Sequence, residues 1–264
     1  MYSAHWGLSG PPFQNVPDPR FFCPLPAHQE ILAKLVYVVE SGKGGALLTG
    51  EAGCGKSTLS RTFVVQLDAE RYDVGLVLNP SLPSDELLYE ITAQLGVSPA
   101  TPDRAALLRA LNDHLLASAQ RGKVTVLILD EVHTIKDENT FHDLRMLLNV
   151  QLNDRQPVTL ILLGQPGMRE VIARHRSLDQ RLALRLNLGP LSEAETALYI
   201  DFRLKKVGGT RRLFTDDAIR MIHGETAGIP LSINNLCDLC LYEGSKRMAQ
   251  EVDATLVKEA LVYV

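Results

Sequence analysis

Apolar residues along this chain follow two alternating patterns, and the alternation predicts a fold class. Short apolar-rich runs occupy residues 46–49, 74–78, 124–129, 159–163 and 184–188. Runs of that length, bounded by glycine, asparagine or proline, read as strands. The six residues 124–129 have the character of a central parallel strand covered on both faces. Between the runs, apolar residues return every three or four positions, as on the buried face of a helix. Ile31, Leu32, Leu35, Val36 and Val39 mark one such helix, stopped by Gly42-Lys43-Gly44-Gly45. Residues 57–67 form a second. Leu87, Leu88, Ile91 and Leu95 mark a third, with Ser84 as its expected cap and Gly96 as its terminator. Leu107, Leu108, Leu111, Leu115 and Leu116 mark a fourth, from about Asp103 to Gly122, and a fifth is expected over 139–152.

After residue 188 the strand signals stop. Gly189-Pro190-Leu191 breaks the pattern, and Ser192-Glu193-Ala194-Glu195 has the form of a capping box. Only helical signals follow, carried by Leu198, Ile200 and Leu204, then by residues after Thr215, then from about Leu231, and last by Leu256 and Leu261. The expected fold is therefore α/β, a five-stranded parallel sheet followed by a C-terminal all-helical lid. The expected divisions are a leader at 1–27, an α/β domain at 28–190 and the lid at 191–264. The leader is dense in proline and aromatics, including Trp6-Gly7-Leu8, Pro11-Pro12-Phe13 and Pro17-Asp18-Pro19-Arg20-Phe21-Phe22. Proline keeps it extended, and its aromatics predict packing on the core. Two readings fit it equally, a wall beside a nucleotide base and a plain structural strap.

Composition narrows the classes without naming one. With 45% hydrophobic residues, 22% charged and a net charge of −4 over 264 residues, the chain suits a globular core, and its charge gives no case for nucleic acid over the whole molecule. The first residues lack the charged and apolar regions of a signal peptide. No apolar run approaches the roughly 20 residues that span a bilayer. Cys23, Cys54, Cys237 and Cys240 suit a reduced chain, so a cytoplasmic location is expected. A metal at Cys237 and Cys240 lacks a second pair at finger spacing, which favours buried helix positions.

The chemistry concentrates at Gly50-Glu51-Ala52-Gly53-Cys54-Gly55-Lys56-Ser57, which fits the phosphate loop G-x-x-x-x-G-K-[ST]. Glycines let successive N–H groups turn toward a polyphosphate, Lys56 reaches the β- and γ-phosphates, and the Ser57 hydroxyl is a Mg²⁺ ligand. A strand precedes the loop and a helix follows, as this reading demands; residues Gly50 to Thr58 are the candidate nucleotide-binding stretch. The run 124–129 delivers Asp130-Glu131 at its carboxyl end, where ligands sit in open α/β sheets. Asp130 is the candidate Mg²⁺ carboxylate. Glu131 is the candidate base for the water that attacks the γ-phosphate. His133 completes an Asp-Glu-Val-His string similar to that of helicases, but no second motor domain follows, so a structural role is expected. Gln165, after the fourth run, is a candidate γ-phosphate contact, with loop capping as the rival reading. Arg181, before the fifth run, either reaches a neighbouring subunit's site or is solvated at the surface. Between about 165 and 220 basic residues exceed acidic ones. That stretch suits DNA phosphates, a solvated face or a subunit contact.

Read together, these motifs resemble the AAA+ ATPases of the general secretion pathway protein A (ExeA) type, and also related ATPases that regulate transposition. The resemblance covers nearly the whole chain. It rests on His5-Trp6-Gly7-Leu8 and the proline-rich leader, on Leu48-Thr49-Gly50-Glu51 with Gly53, Gly55 and Lys56, and on Leu144-Arg145-Met146-Leu147-Leu148-Asn149. Leu163-Gly164-Gln165-Pro166, Gln180-Arg181, Gly228-Ile229-Pro230 and Ile233-Asn234-Asn235-Leu236-Cys237-Asp238 complete it. It implies a P-loop NTPase fold, ATP and Mg²⁺ as ligands, a homo-oligomer with a shared site, and Arg181 as the trans-acting arginine. Members of this type carry arginine after Gly-Ile-Pro, where this chain has Leu231, so weaker nucleotide-dependent lid closure is expected here. Secretion-type members are usually longer, with a membrane segment and a cell-wall-binding region after the ATPase. Two functions follow from the resemblance: an ATP-hydrolysing assembly factor for secretion or pilus machinery of the envelope, or an ATP-switched DNA-binding regulator that partners a transposase.

Overall fold

The computed structural model describes residues 2–98, 101, 103–150 and 156–263. The chain divides into two compact units. One comprises Gln29–Gly50 and Leu59–Leu188; the other comprises Met1–His28, Glu51–Thr58 and Gly189–Val264.

The first unit is built on five strands, β1 (Gly45–Gly50), β2 (Tyr72–Val77), β3 (Val124–Leu129), β4 (Val158–Gly164) and β5 (Leu182–Leu188). All pair in parallel, in the order β2-β3-β4-β1-β5. Every residue of β1 and β4 is buried, as the apolar runs demand of strands flanked on both sides. The edge strand β5 alternates buried Leu182, Leu186 and Leu188 and half-buried Leu184 with exposed Ala183, Arg185 and Asn187. Around the sheet run α1 (Pro26–Glu40), α2 (Lys56–Gln66), α3 (Ser84–Gln94), α4 (Arg104–Gln120) and α5 (Glu138–Leu147). Leu87, Leu88, Ile91, Leu107, Leu111 and Leu115 fill the core with Leu127, Leu129 and Leu162.

Three details depart from the sequence expectation. Ser84 does not cap α3: the cap position is Pro83, and the Ser84 hydroxyl donates to the Asp143 carboxylate instead. The reason is competition, because Arg104 donates to both Ser84 and Asp143 (2.9 and 2.5 Å) and draws the serine into that polar cluster. The helix expected over 139–152 runs from Glu138 to Leu147; Leu152 itself lies outside the described residues. Two short helices, α6 (Met168–Arg174) and α7 (Arg176–Asp179), occupy a segment too polar and too short to show a clear helical period.

The second unit is helical, with α8 (Glu193–Lys206), α9 (Asp216–Thr226), α10 (Pro230–Lys246) and α11 (Ala254–Ala260). Both halves of the capping box form: Ser192 Oγ accepts from the Glu195 N–H at 3.3 Å, and Glu195 Oε2 accepts from the Ser192 N–H at 2.9 Å. The leader's apolar residues enter this unit. Trp6, Leu8, Phe13 and Leu25 share a core with Leu204, Phe214, Ile222 and Leu241, and Cys237 and Cys240 are buried there as free thiols. Trp6 Nε1–H donates to the Leu241 carbonyl at 2.8 Å, so the indole buries its polar edge satisfied. Arg203 is 4% exposed. It donates to the Pro12 carbonyl (2.6 Å), the Gln14 carbonyl (2.8 Å) and Tyr199 Oη (3.0 Å), and it stacks on Phe21.

Ahead of α1 the only regular element described in the leader is the 3-10 turn Pro19–Phe21, so carbonyls such as those of Pro12 and Gln14 need outside donors, and the buried guanidinium supplies them. Arg203→Ala should therefore lower unfolding stability by about 3 kcal/mol and open the leader to protease. Urea denaturation alongside limited proteolysis checks this; an unchanged cleavage pattern would mean that the arginine does not hold the leader.

Candidate functional site

The central strand β1 sets where the loop begins. A Cβ at Gly50 would lie 2.4 Å from the Leu188 carbonyl oxygen, so β1 can close on β5 only with glycine there. The chain passes through Glu51 and Ala52 to Gly53 and Gly55, whose φ values of +81° and +95° lie where glycine carries no steric penalty. Directly after them α2 begins at Lys56, with Ser57 and Thr58 in its first turn. Helix-terminal N–H groups and a curled glycine backbone meet at this point, the arrangement that holds anions. Lys56 is 4% exposed, and its Nζ donates to the Glu51 carbonyl at 3.0 Å. The buried Cys54 backbone N–H also turns toward that carbonyl, at 3.3 Å. Burial raises the Cys54 thiol above its ordinary pKa, which leaves it a space-filling thiol in place of a reactive thiolate.

The loop is braced by the start of α10. The Leu231 N–H donates to the Gly53 carbonyl at 3.2 Å, and a Cβ at residue 53 would fall 2.7 Å from the Leu231 Cβ. Leu231 thus lies against the loop with a side chain 42% exposed.

In the α/β unit, the carboxyl ends of β3 and β4 bring the other candidates together. Asp130 follows β3 and is 2% exposed. Its Oδ1 accepts the Glu131 N–H at 2.8 Å. Glu131 adopts a left-handed backbone, φ 55° and ψ 35°, a conformation that costs a non-glycine residue about 1–3 kcal/mol. The Asp130 bond helps to hold that turn, and the turn leaves the Glu131 side chain partly exposed (43%). His133, in the short 3-10 turn Val132–Thr134, has Nε2 at 3.3 Å from Glu131 Oε2 and 3.0 Å from Gln165 Nε2. Gln165 is exposed at the end of β4. The sequence reading assigned His133 a structural role; the structure sets it between the two polar candidates. The Asp-Glu-Val-His string was the available signal, but periodicity does not show where a turn after a strand aims its third side chain.

Arg181 lies elsewhere. It immediately precedes β5, and its carbonyl abuts Gly44 at the amino end of β1. Six strand residues, about 20 Å, separate that edge from the carboxyl edge that carries Gln165 and Asp130. The half-buried Arg181 side chain has no hydrogen-bond or ion-pair partner among the described residues. Sequence reasoning missed Arg169, whose Nε donates to Thr49 Oγ1 at 3.1 Å beside the end of β1. No motif flags it, because the contact joins α6 to a strand far away in the chain.

Taken as donors, the glycine loop, Lys56 and the Ser57 and Thr58 hydroxyls fit a polyphosphate, and in the α/β unit the buried Asp130 carboxylate has the chemistry of a ligand for a hard cation such as Mg²⁺. No helix among the described residues is long and apolar enough to cross a membrane.

Comparison with known proteins agrees with this geometry. The chain is 34% identical over 256 residues to the General secretion pathway protein A of Aeromonas hydrophila, covering 96% of this chain and 46% of that protein. It thus spans about half the length of that relative. Among solved structures it is similar to Cdc6p from Pyrobaculum aerophilum (TM-score 0.72, 16% identity, 94% of this chain and 71% of that one). It is also similar to the Aeropyrum pernix ORC2 protein in ADPNP–ADP complexes (TM-score 0.69, 17% identity, 95% and 71%). A third similar structure is the Thermotoga maritima RuvB Holliday junction branch migration motor (TM-score 0.62, 19% identity, 89% and 69%). At such identities the likeness to solved structures is one of fold. The model of the AAA domain family matches residues 39–172, which include the phosphate loop, β1 to β4 and the Asp130–Gln165 edge, and the chain belongs to that family.

Proposed function

We propose that this chain binds ATP with Mg²⁺ and hydrolyses it, as an assembly factor for secretion or pilus machinery of the cell envelope. The observation that carries the reading is the glycine loop with positive φ at Gly53 and Gly55, set against the start of α2 and closed by the buried Lys56. The choice of machinery is supported by the 34% identity to General secretion pathway protein A. In this reading the N–H groups of residues 50–58 and the Lys56 ammonium hold the phosphates. Ser57 and Asp130 hold the metal, which when bound neutralises charge developing on the phosphate oxygens. Glu131 takes the proton of the attacking water. Gln165 contacts the γ-phosphate. Arg181, at the far edge of the sheet from Asp130, serves a neighbouring copy in a homo-oligomer.

The transposition reading has less support. Within the basic stretch, Arg203 is buried on leader carbonyls and Arg185 pairs with Asp179, so these two are turned to structure and not to an external phosphate.

Three outcomes test the reading. Lys56→Ala should weaken ATP binding about 100-fold in a fluorescent-nucleotide titration, since it removes a charged donor. Glu131→Gln should keep ATP bound while turnover falls about 100-fold; near-normal turnover would remove Glu131 as the base. Leu231→Arg, which places a guanidinium beside Gly53, should tighten ATP binding about tenfold. Unchanged affinity and turnover in that variant would show that an arginine at this position is not limiting.

A further inference from the structure

The hydrolytic reading above leaves His133 without a role, yet its ring nitrogen touches both Glu131 and Gln165. Nε2 lies 3.3 Å from the Glu131 carboxylate and 3.0 Å from the Gln165 amide. One ring nitrogen carries either a proton or a lone pair, so in a neutral ring it cannot accept from an amide N–H and donate to a carboxylate at once. If the lone pair is on Nε2, the Gln165 N–H is satisfied and the Glu131 oxygen faces a lone pair. If the proton is on Nε2, it goes to Glu131, and the Gln165 amide must present its oxygen or turn away. The other nitrogen, Nδ1, is buried and has no protein partner among the described residues. A buried N–H without an acceptor is costly, and this favours the tautomer with its proton on Nε2.

We infer that His133 is a positioning residue that couples Gln165 to Glu131. When Gln165 turns away toward another partner, the Nε2 N–H donates to the Glu131 carboxylate alone and fixes its direction. The backbone makes the coupling specific. Glu131 sits in a left-handed turn held by Asp130, and His133 follows in a single 3-10 turn, so small rotations of the ring change which partner is reached. The inference rests on the hydrolytic reading for its consequence, but the contact itself can be observed separately.

The test uses the full 264-residue chain. First, the side-chain ¹⁵N resonances of His133 are compared between the wild type and Gln165→Ala, with and without ATP and Mg²⁺. The coupling requires the Nε2 resonance to move on loss of Gln165; an unmoved resonance overturns it. Second, steady-state turnover is measured for His133→Ala, Gln165→Ala and the double variant. His133→Ala should lower kcat about tenfold with KM within about twofold, and the size of that drop should differ between the wild-type and Gln165→Ala backgrounds. Additive losses, or an unaffected kcat in His133→Ala, also overturn it. If the wild type shows no ATP turnover, the hydrolytic reading falls, and the His133 resonance still decides the coupling.

Discussion

The constraint on which the structure depends is the confinement of β1. It lies between β4 and β5 with every residue buried, and its two glycines are the points where backbone from other elements presses closest. At Gly45 and Gly50 a Cβ would collide with the carbonyls of Leu160 and Leu188. A strand held this tightly fixes both where the chain leaves the sheet and the direction in which the phosphate loop starts. Parallel pairing then orders the remaining carboxyl ends, so Asp130 and Gln165 emerge at the same edge as Gly50 with no further instruction.

Much of this could be read in the sequence, because buried parallel strands and glycine-rich turns leave strong local marks. The run 124–129 matches β3 residue for residue, and Ser192 with Glu195 forms the box that its spacing announced. What stayed hidden depended on partners distant in the chain. Ser84 has the chemistry of a cap, but Arg104 and Asp143 compete for it, and no local rule ranks that competition. The leader's aromatics announced packing on the core, but their partners are helices almost two hundred residues later. At the candidate site, the identities of Glu131 and Gln165 were readable from strand ends. Their common neighbour His133 was not, since its placement depends on a left-handed turn at a non-glycine residue.

The contact between Leu231 and Gly53 shows how one side chain can change the character of a loop. Pro190 and Gly228 punctuate the helical segment, and Pro230 opens α10 at the position where proline's missing N–H costs least. The next N–H, from Leu231, is an orphan of the helix start, and the Gly53 carbonyl accepts it. An aliphatic residue at this point contributes contact area and shape where a charged one would contribute a long-reaching donor. The loop is thereby braced by apolar packing.

Arg203 and Trp6 have a consequence for synthesis. The helical unit is discontinuous in the chain: its leader emerges first, and the helices that cover it emerge last. At ordinary ribosomal rates of 5–20 residues per second, Trp6 and Phe13 wait on the order of ten to forty seconds before α8 and α10 exist to receive them. During that interval a stretch rich in aromatics is displayed on a nascent chain whose sheet can already be assembling, so holdase chaperones have a natural point of engagement on the leader.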